Sequence, residues 1–245
     1  MNDNAAQTAL GSDGVFRHRG AETTRLETFV DAAFAFALTL LVISFDAVPA
    51  SYTELVDALL AVPSFLFGFL ILMMFWVAHR NWSKRYGMDT TLATLVSLAL
   101  VFTVLVYVYP LRAMSAAVVS SMSNGHLPTD FVLLSEAEAI GLFRVYGIGY
   151  VVSNLCIIWL NVHAYQCRRQ LSLSAQETFM TLAEIIAWTL VAGVGVLSLC
   201  LTFFVSGALI GLCGWSYALL AVIMPVFGRL TDKRFAAKFG TAAAP

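Results

Sequence analysis

Long apolar stretches alternate with short polar ones along this chain, and six of the apolar stretches are long enough to cross a lipid bilayer. A membrane-spanning helix needs about 20 mostly apolar residues. The pattern therefore predicts an all-α integral membrane protein with six transmembrane helices, over residues 27–45, 55–77, 92–109, 139–163, 181–205 and 208–227. We expect the third span to stop at Pro110, because proline interrupts helical hydrogen bonding. Spans five and six should form a tight hairpin, since only Ser206 and Gly207 separate them.

The amino-acid composition agrees with a membrane protein. Hydrophobic residues make up 60% of the chain and charged residues only 12%, whereas soluble domains carry about 25% charged residues. The polar residues 1–25 have no apolar core of a signal peptide, and we expect them to form a mobile cytoplasmic tail. Residues 26–228 would form the transmembrane domain, and residues 229–245 a second cytoplasmic tail.

The distribution of basic residues predicts the orientation in the membrane. With six spans, both termini lie on one side, and that side collects twelve of the 14 Lys and Arg residues. Cytoplasmic loops are enriched in Lys and Arg, so both termini should be cytoplasmic and the protein should lie in the inner cell membrane. The twelve are Arg17, Arg19, Arg25, Arg80, Lys84, Arg85, Arg168, Arg169, Arg229, Lys233, Arg234 and Lys238.

The first span carries an acid, Asp31, close to its start. A carboxylate within the membrane is costly unless it has a partner, and it is a candidate functional residue by default. Trp76 and His79 share one face of the second span at a similar depth, so either ring N–H is a candidate donor to Asp31. The alternative is that Asp31 only caps its helix or reaches the interface.

A stripe of bulky side chains follows Asp31 on the same helix. Phe36, Leu40 and Ile43 lie at i, i+4 and i+7, and Thr39 lies beside them. Such a stripe can face lipid, a neighbouring helix or a pore. If several copies of this helix met on a symmetry axis, each of the three positions would contribute one side chain per copy and form a ring around the axis. The three rings of side chains would make an apolar constriction about 10 Å long, and such constrictions gate by dewetting. The spacing alone leaves all three alternatives open.

Sequence signatures of other chemistry are missing from the chain. It has no HExxH, GxSxG, P-loop or GxGxxG motif, so we predict that it is not an enzyme and uses no cofactor, no fixed metal site and no nucleic-acid partner. Its four cysteines form no CxxC pair and are typical of small core residues. The run from Gly147 to Tyr150 differs from the potassium-channel filter TVGYG and lies inside a full-length span, so helix packing explains it better.

The segment RLETFVDAAFAFALTLLVISF resembles the first helix of the bacterial transmembrane protein 175 family of potassium channels. In that family, Arg, three residues and then Phe-Ser-Asp precede a run similar to VFAIAxTLL. Arg25, Phe29 and Asp31 stand at that spacing here. The segment FWVAHRNWSKRY, with Trp76 and His79, also resembles the family. The first three spans carry the resemblance.

The resemblance implies a homotetramer that conducts K⁺ along the four-fold axis, within the lipid bilayer, through a pore lined by the first helix. Phe36, Leu40 and Ile43 would form the constriction, with Thr39 nearby. The matching candidates for a structural polar network around the first helix are Arg25, Phe29, Asp31, Trp76 and His79. Two positions depart from the family pattern: Val30 replaces the motif serine, and Phe36 replaces a usual Ile or Leu.

A secondary transporter that uses Asp31 as a proton or cation relay is the alternative function. Transporters usually have helices broken in mid-span and a charge at the bilayer midplane. Here the acids lie near helix ends and the first span is unbroken, which favours a channel.

Overall fold

The computed structural model describes residues 15–20, 23–42, 50–127 and 134–240, and these fold into helices joined by turns. Two 3₁₀ turns, Gly207–Ile210 and Ser216–Leu219, flank the short helix Gly211–Trp215. The helices are α1 Arg25–Val42, α2 Tyr52–Leu60, α3 Val62–Tyr86, α4 Thr91–Met122, α5 Glu136–Gln166, α6 Ala175–Leu201, α7 Gly211–Trp215 and α8 Leu220–Phe239.

Five of the described helical segments are long and apolar enough to cross a membrane. They are α3, α4, α5, α6 and the continuous segment Gly211–Phe239. The described part of α1 has 18 residues, three of which are charged: Arg25, Glu27 and Asp31. Predicted span residues 43–45 lie outside the described residues. The described residues therefore have an all-helical architecture with five candidate membrane spans. A sixth span is present only if α1 also crosses the membrane.

Helix α4 corrects one prediction, because it passes through Pro110 and ends only at Met122. Proline lacks an N–H and removes one helical hydrogen bond. The helix continues because tertiary packing holds the residues beyond it: Leu111 and Met114 are buried, and the Ser115 hydroxyl donates to the Leu111 carbonyl at 2.7 Å. Neighbouring helices and hydroxyl side chains make proline tolerable inside membrane helices. The predicted loop after Pro110 is correspondingly shorter.

The core lies where α5 packs between α4 and α6. Gly149 on α5 permits the closest approach, because a Cβ there would lie 2.4 Å from Cδ2 of Tyr107 on α4. Tyr107, Tyr146 and Tyr150 lie in a row between α4 and α5: the Tyr107 and Tyr146 rings are tilted, with centroids 5.5 Å apart, and the Tyr146 and Tyr150 rings stack, with centroids 6.2 Å apart. Helix α8 packs back against α6, as the predicted hairpin requires.

Part of the predicted mobile N-terminal tail is folded. Phe16 is 1% exposed and packs edge-on against Tyr86, with ring centroids 6.0 Å apart. Arg19 forms an ion pair with Glu177 at the start of α6, at 2.7 Å. At the other end of the chain, α8 continues to Phe239, so helix also extends into the predicted C-terminal tail.

Candidate pore helix and its polar contacts

Helix α1 has one face that is buried against its own protomer. Val30, Phe34, Ala37 and Leu41 recur at i, i+4, i+7 and i+11, and none is more than 4% exposed. This face packs chiefly on α3 and α4. Since apolar side chains at this spacing form a single helical stripe, the buried stripe determines which residues α1 presents on its opposite face.

The opposite face contains one of the three predicted constriction residues, Phe36. Phe29 and Phe36 are 53% and 54% exposed. Thr39 is exposed as well, and its hydroxyl donates to the Phe36 carbonyl at 2.7 Å. Leu40 lies at the flank and is half-buried. Ile43 lies outside the described residues, so the third member of the stripe has no structural description.

The structure brings Asp31 and Trp76 together. The Trp76 indole N–H donates to Asp31 Oδ1 at 2.8 Å, which ties α1 to α3. The guanidinium of Arg80 lies 5.4 Å from the centroid of the same indole ring. The intramembrane acid therefore has a partner within its own protomer, although its side chain stays exposed.

His79 is placed differently from the sequence-based expectation. It is 3% exposed, and its Nε2 lies 2.9 Å from the hydroxyl of Ser97 on α4. It thus links α3 to α4 and does not bond Asp31. Sequence reasoning missed Ser97, although a serine within the apolar run of α4 is a signal for a buried polar contact.

A second contact between α1 and α3 was also missed. The Ser83 hydroxyl donates to Glu27, one turn before Asp31. Glu27 and Ser83 lie 56 positions apart in the chain, so periodicity alone gives no reason to pair them. Together with Asp31 and Trp76, they hold the first turns of α1 against the last turns of α3.

Other motif positions of α1 have no such contacts. Arg25 is exposed and has no hydrogen-bond or ion-pair partner within the described ranges. Phe29 also points away from the protomer core. Val30, at the position of the motif serine, is fully buried in the apolar core, so it belongs to helix packing. Within one protomer, the predicted network therefore reduces to the Asp31–Trp76 pair.

Two further charged side chains of the helices, Arg85 and Arg144, form hydrogen bonds to other parts of the fold. Arg85 donates to Glu184 at 2.8 Å, and the Nε of Arg144 donates to the Thr202 hydroxyl at 3.1 Å. No group of three His, Cys, Asp or Glu side chains within the described part of the chain could hold a metal ion. These polar contacts thus connect the helices.

The geometry agrees with comparisons to known proteins. A family model described as "Endosomal/lysosomal potassium channel TMEM175" matches residues 25–110, which include α1, α3 and the first part of α4. A protein from Marivirga tractuosa named "Potassium channel" is 32% identical over 236 residues, which cover 93% of this chain and 95% of that protein. The chain belongs to the TMEM175 family.

The fold of this TMEM175 chain also matches a solved structure of the family. That structure is a variant of the potassium channel MtTMEM175 crystallised in complex with a nanobody–MBP fusion protein. The TM-score is 0.76 at 32% sequence identity, over 95% of this chain and 99% of the other. The resemblance seen in the sequence is thereby confirmed, as is the prediction that the chain is not an enzyme, because the family consists of channels.

Proposed function

We propose that this protein is a potassium-favouring cation channel, a homotetramer whose pore is lined by α1 and closed by an apolar constriction. The observation that carries the proposal is the outward face of α1, which has no partner helix in the described protomer. The two relatives named as potassium channels support K⁺ as the ion that passes through the pore.

The composition of the outward face of α1 differs from that of a lipid-facing surface. It combines small and polar residues with its phenylalanines: Thr28, Ala32, Ala35 and Thr39 are all exposed. The exposed face of α4, in contrast, carries large apolar residues such as Leu95, Phe102 and Val106. Small residues allow helices to approach closely in membranes, and polar ones favour contact with water or protein. Both properties suit a helix at a symmetry axis.

The exposed Arg25 supports assembly for a related reason. A guanidinium at the start of a membrane helix is costly without a partner or access to water. Arg25 is not partnered by the described residues of its own chain. A neighbouring copy around the axis would supply that environment, so the motif arginine would act between protomers rather than within one.

The constriction would be formed by Phe36, Leu40 and Ile43. Phe36 is the most outward of the two described members, and a ring of four phenyl groups would close the path to water. The three positions span about 10 Å along the helix axis. A narrow apolar neck of this length excludes ions by dewetting, so the resting conductance should be small.

Counting α1, the chain would cross the inner cell membrane six times, with both termini in the cytoplasm. The basic residues support this orientation, because twelve of the 14 Lys and Arg lie on the side of the termini. Positive residues concentrate in cytoplasmic loops. Accessibility of cysteines placed in the termini to a membrane-impermeant thiol reagent would test the orientation.

Ion flux into liposomes that contain the purified protein would test the function. We expect passive flux under a K⁺ gradient, exceeding flux under an equal Na⁺ gradient, without any second ion gradient. Replacing Leu40 or Ile43 by asparagine should raise the flux, because a polar ring wets the neck. The matched control is Val222→Asn, an equally polar change at an exposed position of α8.

Two outcomes would contradict the proposal. Unchanged flux in Leu40→Asn and Ile43→Asn, with normal assembly, would exclude α1 as the pore lining. Flux that appears only when a second ion gradient is supplied would indicate a secondary transporter and would make Asp31 the residue to investigate.

A further inference from the structure

Residues 15–20, which we call the N-terminal clasp, bind the cytoplasmic ends of two helices. The backbone N–H groups of Arg19 and Gly20 donate to the carbonyl of Lys84, at 3.1 and 3.2 Å, in the last turn of α3. The Arg19 Nε donates to the Leu171 carbonyl, at 3.1 Å, in the turn before α6. The clasp therefore joins α3 to the start of α6.

The centre of the clasp is a bidentate ion pair. The two terminal nitrogens of Arg19 donate to the two carboxylate oxygens of Glu177, at 2.7 and 3.0 Å. The backbone N–H of Arg17 donates to the same carboxylate at 3.0 Å. The side chains are only 18% and 2% exposed for Arg19 and Glu177. Charge-assisted bidentate pairs of this kind impose geometry as well as stability.

An aromatic side chain anchors the clasp beside this ion pair. Phe16 is 1% exposed, and the Arg85 guanidinium lies 4.5 Å from its ring centroid. Burial of a whole phenyl group stabilises the docked segment, because apolar surface is removed from water. The segment is thus held at both of its ends, by an apolar anchor at Phe16 and by hydrogen bonds at Arg19 and Gly20.

Only four residues separate Gly20 from Arg25, the first residue of α1. A linker of this length reaches at most about 3.6 Å per residue, so the clasp tethers the start of α1 within about 18 Å of Gly20. The buried face of α1 packs on α3 and α4, and its outward face lies opposite. The clasp contacts α3 and α6, so it holds the cytoplasmic end of α1 towards its own protomer.

We infer that Arg19 and Glu177 position the pore helix: their ion pair holds the cytoplasmic end of α1 away from the four-fold axis and favours the conducting state. This inference rests on the proposed pore-lining role of α1. When the pair is broken, α1 is freer to lean towards the axis, and the apolar constriction closes more of the time. The C-terminal half of the chain, through α6, thereby influences a pore that the N-terminal helix lines.

The chain offers a mild way to break the pair. Glu177 is the third residue of a capping box, in which Ser174 and Glu177 exchange hydrogen bonds. Glutamine also serves at that position, so Glu177→Gln keeps one oxygen for the capping box, while it removes the charge and replaces the other acceptor oxygen by an NH2 group. Arg19→Gln removes the other charge. Arg17→Gln is the matched control, because the guanidinium of Arg17 has no hydrogen-bond partner within the described ranges.

Single-channel recording in planar bilayers, combined with hydrogen exchange of residues 15–20, tests the inference. Both single variants should show faster exchange and about a tenfold lower open fraction, the factor that corresponds to ~1.4 kcal/mol. The unitary current should not change, whereas loss of folded protein would only reduce the number of active channels. The open fraction of the double variant should be no lower than that of the more severely affected single variant, because the two substitutions remove the same interaction.

Several outcomes would overturn the inference. Faster exchange with an unchanged open fraction would show that the clasp is only structural, and unchanged exchange would show that the ion pair does not hold it. An equal effect of Arg17→Gln would indicate a response to net charge. Phe16→Ala, which releases the clasp without changing charge, should reproduce the lower open fraction.

The current of the Leu40→Asn variant distinguishes failure of this inference from failure of the proposed function. If Leu40→Asn raises the current and the clasp variants have no effect, the pore assignment stands and the clasp inference fails. If Leu40→Asn assembles normally and has no effect, the pore assignment fails, and the clasp inference fails with it.

Discussion

Gly149→Ala should destabilise the protein without altering ion preference. The added Cβ would lie 2.4 Å from Cδ2 and 3.2 Å from Cγ of Tyr107. Carbon atoms in contact are about 3.5–4.0 Å apart, so the ring or the helix has to move by about 1 Å. Tyr107 is 1% exposed, and its ring centroid lies 5.5 Å from that of Tyr146. The ring therefore has little free space to enter.

Overpacking of this kind costs about 1–3 kcal/mol, while Gly→Ala in a helix interior contributes a gain of about 0.8–1.0 kcal/mol. We expect a net loss of stability for Gly149→Ala. Gly193→Ala on α6 is the control, because nothing lies within 4 Å of a Cβ there. It should be neutral or more stable. The thermal unfolding midpoints of Gly149→Ala and Gly193→Ala should differ by several degrees, because 1 kcal/mol shifts the midpoint by about 2–4 °C.

Thermal unfolding in detergent, followed by the fraction of protein that remains assembled, is the assay. Adding Tyr107→Leu to Gly149→Ala should recover part of the loss, since the smaller side chain leaves room for the new methyl group. The reasoning would be refuted if Gly149→Ala were as stable as the parent and changed the K⁺/Na⁺ ratio. That result would revive the carbonyl-filter interpretation of the run from Gly147 to Tyr150.

Three further substitutions test contacts of α1 and of the clasp. Trp76→Phe removes the hydrogen bond to Asp31 and should cost about 1.5–3 kcal/mol in an unfolding assay. Asp31→Ala should lose the stable tetramer in size-exclusion chromatography, and an assembled variant with altered ion preference would contradict this. Gly87→Ala should speed amide exchange at Arg19 and Gly20, because Gly87 has φ of 55° and its Cβ would lie 2.8 Å from the Arg19 carbonyl carbon; unchanged exchange would contradict this.

The apolar periodicity accounts for most of the architecture that could be predicted. Runs of about 20 apolar residues identify membrane helices because the bilayer demands internal backbone hydrogen bonds. Pro110 misled this reasoning, because its effect depends on what packs around it. In an isolated peptide it would interrupt the helix, whereas here the buried Leu111 and Met114 hold the next turn in place.

Contacts of the candidate site could be predicted only where a hydrogen-bond donor and an acceptor lie at a similar depth in the membrane. Trp76 was a candidate donor for Asp31, and the structure joins them. His79 was an equal candidate, yet it bonds Ser97. Trp76 and His79 are three positions apart, so they share a helical face only approximately. This small difference in direction lets the Trp76 ring reach α1 and the His79 ring reach α4.

The N-terminal clasp could not be predicted from the sequence. Phe16 and Arg19 stand in a polar segment with no periodic pattern. Their partners are distant in the chain; Glu177 lies 158 positions after Arg19. Composition predicts disorder for such a segment, and only the folded arrangement of α3 and α6 creates the site that it occupies.

The length of α4 has a consequence for the opposite end of the molecule. Its 32 residues rise about 1.5 Å each, so the helix is about 48 Å long. The hydrocarbon core of a bilayer is only about 30 Å thick. Because α4 starts beside the clasp and runs away from it, we expect its last turns to extend beyond the acyl chains at the opposite end of the molecule. With the termini in the cytoplasm, as proposed above, these last turns would be the part of α4 that an antibody outside the cell could bind.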